Sequence, residues 1–128
     1  MGDIQGSVHW TELMTWDVAG AQEFYGKVCG WTFQAVPMPG FDYVIGSAGD
    51  TQTVGIMDMA RSGAEAGTPP FWMTYIGVDD VDAATKAVTA GGGRLKAEPF
   101  DVPGVGRIAI AEDPSGALIG LMTPADQA

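Results

Sequence analysis

Hydrophobic and polar positions along the 128-residue chain change period several times, and the same order of changes occurs twice. Residues 8–15 read as a strand; Asp17 then suits a helix N-cap, and Val18, Ala21, Tyr25 and Val28 recur on one helical face until Gly30 stops it. Three shorter strands are predicted at 31–36, 43–47 and 53–58, separated by Pro37-Met38-Pro39-Gly40 and Ala48-Gly49-Asp50. The order is β-α-β-β-β. It returns as a strand at 71–78 and a helix at 81–90 with Val81, Ala84 and Val88 inward, then a Gly91-Gly92-Gly93 stop and strands at 94–98, 106–112 and 117–123.

The repetition extends to residue identity. Asp17-Val18-Ala19-Gly20-Ala21 matches Asp80-Val81-Asp82-Ala83-Ala84 at an offset of 63, and Val54-Gly55-Ile56-Met57 matches Ile119-Gly120-Leu121-Met122 at 65. One domain of two tandem modules is expected, module one at 7–59, a linker at 60–70 and module two at 71–124. The net charge of −10 divides equally, two basic against seven acidic residues in the first half and four against nine in the second. So few scattered Lys and Arg argue against nucleic acid and anionic membrane surfaces as partners. One cysteine, Cys29, rules out an internal disulfide and reads as a small buried hydrophobe. No apolar run is long enough to span a bilayer, and the N-terminus lacks the basic and apolar regions of a secretory signal, so a cytoplasmic location is expected.

Tandem βαβββ modules with Glu23-Phe24-Tyr25-Gly26-Lys27-Val28-Cys29-Gly30-Trp31 at the first helix and Asp113-Pro114-Ser115-Gly116-Ala117 before the last strand resemble the vicinal oxygen chelate superfamily, the glyoxalase, bleomycin-resistance and extradiol-dioxygenase group. The resemblance implies an α+β fold in which curved mixed sheets form a cup around a ligand cavity, and a homodimer. In its metal-dependent members, His, Gln or Glu ligands project from the first and last strands of each module. Counted onto this chain, those positions are Trp10, Gly55, Met73 and Gly120. None is a usual ligand for the divalent ions of such sites, so no metal and no other cofactor is expected. Sliding the count by one brings in His9 and Trp72 and still supplies one competent ligand; only a larger slip recruits Glu12, Asp58 and His9 together.

Strand alternation places Glu12 and Met14 on the face of Trp10, Tyr75 and Gly77 on that of Met73, and Met57 and Met122 beside the two glycines. Missing side chains at Gly55 and Gly120 are expected to enlarge the cup floor, leaving a Trp, Tyr and Met wall suited to a flat or aromatic molecule. Glu12, an acid within an apolar strand, is the candidate general acid/base or ligand acceptor, or else a structural acid satisfied by Tyr75, His9 or Arg107. His9, the single histidine, falls on the opposite face. The apolar segment 100–107 is expected to cover the cup or meet a second subunit, with Arg107 reaching an anionic group or Glu12.

Three functions fit these residues. One is a metal-free binding protein for a small hydrophobic or aromatic molecule, lined by Trp10, Glu12, Met14, Gly55, Met57, Met73, Tyr75, Arg107, Gly120 and Met122, with Trp72 nearby. The second is a metal-independent lyase or isomerase in which Glu12 moves a proton. The third is an interaction module whose cup is filled.

Overall fold

The computed structural model describes residues 4–102 and 105–125. The first three residues, read above for a signal, and Pro103-Gly104 of the expected cover lie outside the described residues. By contacts the chain divides into two compact units, Trp10–Trp72, and Met1–His9 joined to Met73–Ala128.

The first module is built from β1 (Val8–Thr15), α1 (Val18–Cys29), β2 (Thr32–Met38), β3 (Phe41–Ala48) and β4 (Thr51–Asp58), in the strand order β2-β3-β4-β1. β1 and β4 run parallel and the other neighbours antiparallel, so the helix serves as the crossover that a parallel pair requires. Asp17 caps α1 by accepting from the Gly20 amide at 2.9 Å, and Gly30, at φ 73°, ends it in the left-handed conformation that glycine adopts without strain. Alternation in the strands puts Leu13, Val44 and Ile56 on one face, where Val18, Ala21 and Tyr25 of the helix and Phe33 of β2 cover them.

Two expectations fail at the helix end. Val28 is 62% exposed and Cys29 is exposed as well, because the partly buried stripe by which α1 packs on the core ends at Tyr25 and its last turn lies outside the core cluster. The segment Pro37-Met38 continues β2 rather than opening the turn; proline fits there because β2 ends the strand order and proline has no amide to pair.

The second module repeats the plan with β5 (Phe71–Gly77), α2 (Val81–Ala90), β6 (Arg94–Val102), β7 (Gly106–Glu112) and β8 (Leu118–Pro124), in the order β5-β8-β7-β6. β5 and β8 are parallel. Asp80 caps α2 through the Ala83 amide at 3.2 Å, and the amides of Gly91 and Gly93 close its end on Ala87 and Val88. Its core gathers Val78, Val81 and Ala109, with Ala84 and Leu121 against them. The strand β6 runs four residues beyond the end expected at 98 and pairs with β7 as far as Val102 opposite Gly106. The described part of the segment expected to act as a cover is therefore the two arms of a β-hairpin. The fold is α+β, made of two tandem βαβββ modules.

Candidate functional site

With Leu13 and Thr15 turned to the helix side, Trp10, Glu12 and Met14 share the other face of β1. Register then brings neighbours beside them: Glu12 stands opposite Gly55, Met14 opposite Met57, and Ile45 of β3 on the far side of Gly55. Tyr43, two residues before Ile45, falls on this face too, and it organises the polar contacts there. The Trp10 indole Nε1–H donates to Tyr43 Oη at 3.1 Å, and Tyr43 Oη donates to Glu12 Oε2 at 2.5 Å. The second distance is that of an O–H donating to a carboxylate, about twice as strong as a neutral hydrogen bond. Trp10, Glu12 and Tyr43 are half-buried, while His9 is exposed.

Tyr43 corrects the reading of Gly55. A Cβ at Gly55 would fall inside the Tyr43 hydroxyl and ring, and would lie 3.0 Å from Trp10 Nε1. The missing side chain does not open the floor; it admits a tyrosine. The second module shows the same device within its own sheet: Tyr75 pairs with Gly120, and a Cβ at Gly120 would overlap the Tyr75 ring, with Cγ at 2.9 Å. There Tyr75 occupies the strand position that Glu12 holds in the first module. Glutamate cannot cover its glycine as a ring does, and Tyr43 from β3 supplies the ring instead. Met73 and Met122 are buried on the face of Tyr75 and Gly120, and Gly77, also buried there, lies under Ile4.

Other expected contributors are engaged elsewhere. Arg107 donates through Nε and Nη2 to Asp82 at 3.1 Å and through Nη1 to Asp101 at 3.1 Å. The Asp82 hydrogen bonds, then those of Asp101, hold its guanidinium above its ordinary pKa and keep it charged. The anionic groups that Arg107 reaches are thus the carboxylates of Asp82 and Asp101. Trp72 is partly exposed and belongs to an aromatic cluster at α1, edge-on to Tyr25 at 5.5 Å and Trp31 at 6.3 Å. An open groove of about 540 Å³ is lined by Trp16, Ala66, Gly67, Thr68, Pro69 and Pro70, but no titratable group lines it.

The family model of the Glyoxalase/Bleomycin resistance protein/Dioxygenase superfamily matches residues 7–121. The chain belongs to this superfamily. It is 39% identical over 118 residues to CFP32 of Mycobacterium tuberculosis, a candidate glyoxylase by name, covering 91% of this chain and 45% of that protein. It is 32% identical over 127 residues to the anthracycline biosynthesis protein DnrV of Streptomyces peucetius, covering 91% and 46%. The chain thus spans about half the length of these superfamily relatives. Among solved structures, methylmalonyl-CoA epimerase from M. tuberculosis shares the fold with a TM-score of 0.70 at 19% identity, covering 98% of this chain and 93% of the other. The Streptomyces coelicolor epimerase in complex with 2-nitronate-propionyl-CoA matches at 0.67 and 18%, covering 96% and 99%.

Superfamily metal positions, transferred by the count given above, do not fit an ion in either module. Gly55 has no donor and its side-chain space belongs to Tyr43; Gly120 has none and its space belongs to Tyr75. Trp10 spends its only polar group as a donor to Tyr43. Met73 offers a soft thioether. Among the described residues, no three His, Cys, Asp or Glu side chains form a group that could hold a metal.

Proposed function

We propose that the chain binds a small hydrophobic or aromatic molecule without a metal, on the face of module one that carries Trp10, Glu12, Met14 and Met57. The carrying observation is the chain of hydrogen bonds from Trp10 through Tyr43 to Glu12, which fixes one carboxylate on a wall otherwise made of ring, thioether and branched aliphatic groups. Such a wall takes up a flat apolar body, and the carboxylate takes a hydroxyl or amine donor on its rim. The corresponding face of module two, Met73, Tyr75, Gly120 and Met122, is buried and carries Tyr75 where module one carries Glu12. One relative is named for the biosynthesis of anthracyclines, which are planar aromatic compounds with phenolic hydroxyls.

Charge speaks against a coenzyme A ester, the ligand named in the epimerase structure. Binding its phosphates calls for available cations. Here four of the six cations, Lys27, Arg94, Lys96 and Arg107, face carboxylates. The test is quenching of tryptophan fluorescence by hydroxylated aromatics against coenzyme A: saturation by the former alone supports the reading, and saturation by coenzyme A alone refutes it. A second reading, Glu12 as general acid/base of a metal-independent lyase or isomerase, draws on the same short hydrogen bond. It requires turnover that Glu12→Gln abolishes while ligand affinity survives. The homodimer and the cytoplasmic location implied earlier are part of this proposal; no helix among the described residues is long and apolar enough to cross a membrane.

A further inference from the structure

We infer that Tyr43 is the positioning residue of this site and that Gly55 is kept without a side chain to seat it. The inference deepens the proposal above and takes from it the role of Glu12. Indole Nε1–H is a donor only, so the bond between Trp10 and Tyr43 fixes the Tyr43 oxygen as its acceptor. The phenol proton is then directed to Glu12 Oε2, which receives it as an acceptor. Glutamate has three rotatable side-chain bonds, and the bond from Tyr43 restricts them. The seat is specific: any Cβ at position 55 would displace the Tyr43 hydroxyl and crowd Trp10 Nε1 together. Tyr43 therefore acts through Glu12, holding it as an acceptor that selects ligands able to donate a hydrogen bond over those that cannot.

The experiment compares wild type with Tyr43→Phe, Gly55→Ala and the pair Gly55→Ala/Tyr43→Ala, using 2-naphthol and its methyl ether, 2-methoxynaphthalene, as probes. Two readouts are taken: the affinity ratio of the probes, and the indole N–H cross-peak of Trp10 in a ¹⁵N correlation spectrum, assigned from its loss in Trp10→Phe. Wild type should prefer the naphthol by about tenfold, and Tyr43→Phe should reduce the preference to about twofold without weakening the ether. A role in packing alone would weaken both probes equally, and that result overturns the inference. Tyr43→Phe and Gly55→Ala should both move the Trp10 cross-peak, while the Trp16 indole, bonded to the Thr68 carbonyl, stays in place. An unmoved Trp10 peak also overturns it. Should wild type bind neither probe, the functional proposal and the role of Tyr43 through Glu12 both fall, while the cross-peak still decides whether Tyr43 is seated on Gly55 beside Trp10. If Gly55→Ala folds poorly, its loss of melting temperature, about 5 °C alone, should fall below about 2 °C in the Tyr43→Ala background; equal losses in the two backgrounds contradict the seat.

Discussion

Glu12 carries the polar chemistry of the site, and its replacement isolates that chemistry from shape. Glu12→Gln keeps the volume but leaves a group that accepts more weakly than a carboxylate. A hydroxylated aromatic should bind about tenfold more weakly, roughly 1.4 kcal/mol. Gly55→Ala acts through crowding and should cost about 1–3 kcal/mol, read from urea midpoints. Glu12 was legible in the sequence as an acid out of place in an apolar strand. Tyr43 was not, because its partner stands 31 positions away on a strand that β4 separates from β3, and nothing local shows that the tyrosine reaches across. The alternation that put Ile45 beside Gly55 is the signal that could have found it. Which acids Arg107 meets was not legible for the same reason: Asp82, 25 positions earlier, meets it only through the packing of module two.

At the scale of elements, period and capping were readable because they are local. Both Asp N-caps, both helices and every strand stand where the hydrophobic pattern places them, within a few residues. Ends of elements were less legible: β6 runs on past Glu98 because β7 offers it a pairing partner, and the α1 stripe stops at Tyr25 because the core beneath it stops there. Asp17→Ala should destabilise the chain by about 1 kcal/mol through the freed amide of Gly20. The turn from β7 to β8 makes a pH-dependent contribution. Ser115 and the amide of Ala117 donate to Asp113 and hold its carboxyl below the ordinary 3.8. Because the folded pKa is the lower one, the stabilisation is complete above the unfolded value and is lost as pH falls through the folded value. The difference in urea midpoint between wild type and Asp113→Ala should therefore shrink as pH is taken from 5 to 3; a constant difference would contradict this origin.

Across the whole molecule, the duplication seen in the sequence appears as two modules with the same order of elements and an unequal pair of faces. Each module seats a tyrosine on its last-strand glycine, but module one places a glutamate where module two places that tyrosine. The charge of −10 and the engagement of most cations with carboxylates make a polyanionic ligand a poor match. Removing divalent ions should leave the melting temperature unchanged, since the four positions counted from the resemblance, Trp10, Gly55, Met73 and Gly120, offer no suitable donors. The central claim, an aromatic ligand held by Glu12 without metal, is tested most directly by titrating tryptophan fluorescence with 2-naphthol in excess chelator. Saturable quenching at one site per chain in wild type, weakened about tenfold in Glu12→Gln, is the predicted result. Absence of saturable quenching, restoration of binding only by an added divalent ion, or equal affinity in the two proteins would contradict it.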